Sequence, residues 1–596
     1  MTVTSFVTDP LRLLPTEIVL RILEFTPISA LASLTAVSHA WHRFIDVTHQ
    51  EAIYASKSKT SRSPGATRDF SFLSDNTSFA KFFEGTTSWK ELCRRQTLLS
   101  RNWAAVHPVT RESVLQVGND PVWRFRADFK RRFFVSTSQA GGLNVTDMDT
   151  GRILWSLPST LDHAEDAVRP YAHLEYQDGM AVFDREGDAV EVWQADLDGA
   201  SRGVFRRIAV LNHDCQTRGF QLSYWTLCVV STQGQGFVYD MTQRPPKLTT
   251  HLEIEHNAVG HLDQNEDAVM YSMGSRGYHV YNKTSGAFLG ALQPSHCMDK
   301  YHILAPVAPP SAAAARHGPT LRIFPPGAPR KDRLVPIKLA KGPLPPPTDP
   351  EHVYHSEDEW GAGMVQGDLF VGFSRAGRIF VCFDWRKALH DRDSLAAHSS
   401  LIECESDGSS FDLGGWLSVR DHRIMVEIQD RIYVVALDDH NRIQDVDRPA
   451  RASYSLVTSS APQLAIPVSF MALYDDGILT TYTTLGWRPT PQEQHNARAR
   501  IFPTKTIRIV SLAPDLSVEA EHARESPVAD EGLDHQGSQR QPAGGIWRSQ
   551  LGMLQLVSML GNEFQDVDDE LGLETDDEDD DEEWVDQEDN ENEAHS

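Results

Sequence analysis

Apolar residues along this chain follow two different periods. Near the N-terminus they recur at helical spacing; over roughly the next four hundred residues they come in strand-length runs separated by Gly-containing turns. Ile18, Ile22, Leu23 and Phe25 follow Leu14–Pro15 at near-helical spacing, with Pro15 where a first helical turn tolerates proline. Pro27 predicts the end of that helix. Ser29 is placed to cap a second one carrying Leu31, Leu34 and Val37. A third is predicted from Ser38, with Trp41, Phe44 and Ile45 on one side. Residues 9–56 therefore read as a three-helix unit at the edge of what so small a core can hold alone. Residues 57–78 are rich in Ser, Thr and Lys and read as a flexible linker. Helical pattern returns over 79–108, where Trp89, Leu92, Leu98, Leu99 and Trp103 are apolar and Arg94 and Arg95 are expected on the solvated side.

From 109 to 515 a β unit recurs: a strand, a Gly-containing turn, a second strand ending in an acidic or amide residue, a tight turn and a further strand. The clearest copy is RRFFVSTSQAGGLNVTDMDTGRILWSL, Arg131 to Leu157. The turn residues fall near Asp149, Asp196, Asp240, Asn282, Asp384, Asp438 and Asp515, and the first three intervals are about 42–47 residues, the period of propeller blades. The interval from Asn282 to Asp384 is about twice as long and includes a Pro-rich insertion, 305–350, with 13 of the chain's 33 prolines. It holds either one degenerate blade, with LRIF and RLVPIKL as strands, or a long insertion, so seven and eight blades both fit. The expected class is α plus all-β multidomain. Stacked blades bury faces that a lone strand pair leaves wet, and ring closure protects the outer edges.

Composition sharpens the ends of the chain. The formal net charge is −27, yet 19 carboxylates and no Lys or Arg lie between Glu563 and Glu593. Residues 516–596 are expected to be largely disordered, with an acidic tail from 563 and a short amphipathic helix candidate at Gly545–Leu560. No basic run suggests nucleic-acid binding, and no run of about 18 apolar residues suggests a membrane span. Charged residues Asp9, Arg12, Glu17 and Arg21 interrupt the first apolar stretch, so no signal peptide is expected. Six cysteines without metal or disulfide spacing read as buried, reduced thiols of an intracellular protein, in cytoplasm, nucleus or both.

The N-terminal unit resembles an F-box. Leu14, Pro15, Glu17, Ile22, Leu23, Phe25, Leu31, Leu34, Val37, Ser38 and Trp41 stand where that family has Leu-Pro, an acidic residue, Ile-Leu, an aromatic, a Leu-rich second helix and Val-Ser three residues before Trp. The block SWKELCRRQTLLSRNW looks like the helical linker of WD-repeat F-box proteins. The blades depart from orthodox WD repeats in lacking Gly-His and Trp-Asp signatures, so no substrate-binding residue is carried over. The resemblance implies a substrate-recognition subunit of an SCF-type ubiquitin ligase, with a Skp-type adaptor, through it a cullin, and a protein substrate as partners. Leu14, Pro15, Glu17, Ile18, Ile22, Leu23, Leu31, Val37 and Trp41 are the implied adaptor-binding residues, with Leu34 and Val37 also candidates for internal core. The alternative is a propeller scaffold whose F-box serves outside ubiquitination.

Enzyme readings are weaker. GAGMVQG, Gly361 to Gly367, lacks the helix of a dinucleotide fingerprint, and EHVYHSEDEW reads as a solvated acidic loop rather than a metal site. No catalytic residue, metal or cofactor is expected. FKRRFF, Phe129 to Phe134, is the densest basic patch and reads as solvated charge beside a strand; facing the ring's mouth, it would suit an acidic peptide. The acidic tail is expected to act as a solubiliser, with contact to a basic patch as the sharper alternative.

Overall fold

The computed structural model describes residues 9–516 apart from 58–77, 119, 163–165, 186–187, 196–200, 255–260, 305–333, 347–357, 405–415, 429–430, 459–467 and 489–499. These residues belong to the first of two compact units, Met1–Ser517. The LRIF strand candidate, most of EHVYHSEDEW, the 545–560 helix candidate and the acidic tail lie outside the described residues.

Short helices open the chain: α1 (Pro10–Leu13), α2 (Thr16–Phe25), α3 (Ile28–Thr35) and α4 (His39–His42), then a π-helical turn (Arg43–Thr48) and α5 (Gln50–Ala55). Pro15 stands at the N-cap of α2 and Pro27 at that of α3, each with extended ψ. Ser29, expected as a cap, thus lies inside α3, because Pro27 already fixes the turn in front of it. Ser38 does cap α4, accepting from the Trp41 N–H at 3.3 Å. Val19, Leu23, Leu31, Trp41, Ile45, Ile53 and Tyr54 form the core. That core is completed by Cys93 of α6 (Trp89–Ala104), whose Sγ meets the Tyr54 carbonyl at 3.2 Å.

The strands form seven four-stranded blades. Their innermost strands are Val122–Asp128, Leu174–Gln177, Thr217–Ser223, Leu262–Gln264, Trp360–Gln366, Leu417–Arg420 and Met471–Tyr474. Neighbouring blades touch through them, and an apolar cluster fills each of the seven gaps between blades. Middle strands such as Phe133–Ser138 are buried along their whole length, because both faces of a blade meet another blade. Closure comes from the N-terminal side: Arg111–Leu115 pairs with Arg500–Ser511, from Arg111↔Ser511 to Leu115↔Ile507. Across that seam the fully buried Arg508 guanidinium meets Glu112 at 3.0 Å.

The recurring Asx residue has a physical reason. It ends the third strand of a blade and accepts N–H groups of the following turn. Asn282 Oδ1 takes Thr284 N at 3.0 Å and Ser285 N at 2.8 Å; Asp438 Oδ1 takes His440 N and Arg442 N, both at 2.8 Å. In the first blade Asp147 plays this part, not Asp149, which pairs with Arg132.

The double interval resolves as an insertion. Asp299–Leu304 and Val335–Lys341 form a hairpin between the outer strands of blades 5 and 6. The first runs parallel to Ser399–Glu403, the second antiparallel to Ser453–Val457. Most of RLVPIKL therefore lies in a strand, Val335–Lys341, but that strand joins two blades edge to edge rather than building the degenerate blade of the other alternative.

We call the end of the ring where innermost strands start the upper end, and the opposite end the lower. The helical linker is fixed to the lower end. Asp476, in a blade 7 turn, is fully buried and accepts from Ser78 Oγ (2.7 Å), Phe79 N (2.9 Å) and Ala80 N (2.8 Å). Trp103 Nε1 donates to the Asp475 carbonyl at 2.9 Å, and the Tyr454 hydroxyl to the carbonyls of Trp103 (3.1 Å) and Ala105. Leu92, Leu99 and Trp103 enter the apolar cluster of blades 6 and 7. Arg95 is not solvated: it donates to the carbonyls of Phe82 (2.8 Å) and Glu84 (2.7 Å), tying segment 78–86 to α6.

Candidate functional site: an exposed apolar face and the upper mouth of the ring

Helix α2 has two apolar stripes because its apolar residues occupy more than one side of the 3.6-residue turn. Val19 and Leu23 face inward. Leu14, Ile18, Ile22 and Phe25 face outward at 38%, 49%, 50% and 72% exposure, and Val37 beyond α3 is 66% exposed. Pro15 and Glu17 are exposed beside them. Helix α6 covers the other side, so the outward stripe has no covering element among the described residues.

The upper mouth is lined by alternate residues of successive innermost strands. On the first, Arg124 lies over the Trp416 ring at 4.5 Å and Arg126 over Phe470 at 4.2 Å. On the second, Glu175 accepts from Arg126 at 2.6 Å and contacts His173 Nε2 at 2.9 Å. Asp184 is engaged by Arg169 Nε at 2.7 Å and the His173 N–H at 2.6 Å. Asp263 on the fourth accepts the Val365 N–H at 2.7 Å, linking blades 4 and 5. Trp123 and Tyr171 form an edge-to-face pair at 5.2 Å.

Burial sets the protonation of this mouth. It lowers Arg124, with Arg126 in the same direction and Glu175 and Asp184 opposing, to about 9, still cationic at neutral pH. Burial, then Arg124, holds His173 below its ordinary value against the Glu175 contact. His261 is lowered to about 4 by burial, then by Arg124, His173 and Arg218. Burial lifts Asp263 to about 7 against the N–H groups of Val365 and Gln264.

Residues 11–49 match the family described as F-box-like. The N-terminal unit is an F-box-like domain. It precedes a β-propeller, an arrangement that agrees with F-box proteins of the WD-repeat type. No curated protein matches the chain. Among solved structures, the computationally designed Ika8 protein aligns over 67% of this chain and 100% of its own at 13% identity, TM-score 0.36. U3-55K aligns over 67% and 98% at 9% identity, TM-score 0.37. The Cps50 (Swd1) β-propeller domain of Myceliophteria_thermophila aligns over 67% and 99% at 8% identity, TM-score 0.37. The ring itself rests on the strand pairing described above.

The residues expected to bind an adaptor divide in two. Leu14, Pro15, Glu17, Ile18, Ile22 and Val37 are exposed on the F-box-like domain. Leu23, Leu31 and Trp41 are buried in its own core. Val37, a candidate for internal core, is outside it, while Leu34 packs partly against it. FKRRFF sits at the lower end, where Arg131 meets Asp128 and Asp178, each at 2.8 Å, and Arg132 donates to the Phe79 carbonyl at 2.9 Å. Those cations are structural. The upper-mouth groups Arg124, His173, Arg218 and His261 escaped sequence reading because they are spread over four successive blades; an alternating Arg-x-Arg in WRFRAD was the one local sign.

Proposed function

We propose that this chain is the substrate-recognition subunit of an SCF-type ubiquitin ligase. The F-box-like domain binds a Skp-type adaptor and through it a cullin, the propeller binds a target protein, and ubiquitin transfer is carried out by other subunits. The observation that carries the reading is the outward stripe Leu14, Ile18, Ile22 and Phe25 with Val37. The domain's own core and the linker helix are both satisfied without it, so its apolar area is left for a partner. Leu23, Leu31 and Trp41 then act from beneath, holding the stripe in place. The free, buried state of all six cysteines agrees with an intracellular site of action. Among the described residues no helix is long and apolar enough to cross a membrane.

The test is binding of the purified full chain to a purified Skp-type adaptor. Ile18→Glu with Ile22→Glu changes only exposed positions and is expected to weaken binding by about a hundredfold or more, the loss of a central apolar anchor, with the thermal midpoint preserved. Unchanged affinity sinks the proposal. Adaptor recovered from cells without a cullin would favour the scaffold role instead.

A further inference from the structure

The bridging hairpin runs on from Lys341 into Gly342, Pro343, Leu344, Pro345 and Pro346, at the outer rim of blades 5 and 6. Each proline ring locks its own φ. Leu344, Pro345 and Pro346 are each followed by a proline and so are kept out of the α region, which leaves extended, polyproline II-type backbone. The stretch lies outside the strands but is held at three points. The Gly342 N–H donates to the Lys300 carbonyl at 2.8 Å, and His302 Nδ1 meets the Gly342 carbonyl at 3.1 Å. The Leu344 N–H donates to Glu403 Oε2 at 2.7 Å, and Glu403 is braced by Arg378 at 3.7 Å. A polyproline II helix repeats every three residues and therefore has three edges. Leu344, half-buried, takes the anchored edge. Pro343 and Pro346 share the second, Pro345 takes the third, and all three prolines are exposed.

We infer that Pro343–Pro346 is a docking ligand for a second protein, one whose aromatic-lined groove is flanked by carboxylates and reads Pro-x-x-Pro. An aromatic groove is the surface that takes the open edges of such a helix. The charge of its flanks follows from the hairpin, whose two strands expose Lys300, Lys338 and Lys341 against the single carboxylate of Asp299. The three anchors hold the segment in its extended form beforehand, which removes much of the ordering cost that a loose proline run meets on binding. The site shares no residue with the F-box-like domain, so it stands whether or not the adaptor binds.

Calorimetry of the full chain against purified SH3 domains tests this, with one set carrying carboxylates beside the groove and one set lacking them. Saturable one-to-one binding by the first set is expected, tighter than by the second. Pro343→Ala with Pro346→Ala changes only exposed positions and is expected to weaken binding about tenfold or more, the loss of two seated prolines. Lys341→Glu, also exposed, is expected to weaken it about threefold or more and to flatten its dependence on salt, which a purely apolar contact would not show. The inference is overturned if no domain of either set binds saturably, or if the set lacking carboxylates binds as tightly as the first. It is overturned equally if the double proline variant keeps wild-type affinity, which would place recognition on another proline segment.

Discussion

His261, just ahead of the strand Leu262–Gln264, and Asp263, on it, pull stability in opposite directions with pH. Asp263 titrates at about 7, above its unfolded value near 3.8, so the stability it contributes is complete below that value and is lost as pH rises to about 7. His261 titrates at about 4, below its unfolded 6.5, so its contribution is complete above 6.5 and lost as pH falls to about 4. His173, also lowered, adds to the histidine side. The slopes oppose each other over one window. Asp263→Asn is expected to make stability rise with pH between about 4.5 and 6.5, by roughly 1–3 kcal/mol, and His261→Gln to make it fall. Urea midpoints across that range check both signs; identical profiles in wild type and variants would refute the assignment. None of this was visible in the sequence, where His261 and Asp263 are ordinary polar residues of a strand. Their titration depends first on burial in the folded ring and then on Arg124, Glu175 and Lys283, which are distant in the chain.

At the scale of elements, α6 is the part on which the arrangement turns. One side closes the F-box-like core through Cys93, another enters blades 6 and 7 through Leu92, Leu99 and Trp103. Asp476 fixes the segment leading into it by three hydrogen bonds. Asp476→Ala removes the acceptor for three donors, and the thermal midpoint is expected to drop by an amount corresponding to about 2–4 kcal/mol. Hydrogen exchange should show faster exchange at the Phe79 and Ala80 amides; protection unchanged there would contradict the docking role. The helix itself was legible from its apolar spacing. The burial of Arg95 was not, because an arginine between polar neighbours has no local sign that carbonyls await it across a loop. The Asx turns were legible for the opposite reason: acceptor and donors lie within four residues of one another. The bridging hairpin could be seen as strands but not assigned, since its partners are outer edges of two blades far along the chain.

For the whole molecule, the F-box-like domain and its linker occupy one end of the ring and the cationic mouth the other. Ile18 and Arg124 share no partners, so their substitutions should act independently. Arg124→Gln is expected to leave adaptor affinity within about twofold of wild type, and the two substitutions to shift the thermal midpoint additively when combined; coupling between them in a double-mutant cycle would show that the two ends communicate.

The seam where Arg111–Leu115 joins Arg500–Ser511 also sets an order of assembly. The strand made first waits, unpaired, for the hairpin made last. Asp475 and Asp476, which hold the linker, belong to that same last blade. A chain released early from synthesis therefore has both an open sheet edge and an exposed apolar stripe on an unfastened mount. The outward stripe is held at a fixed angle only when translation has passed blade 7, so completion of the ring and the fixing of that apolar face are a single event.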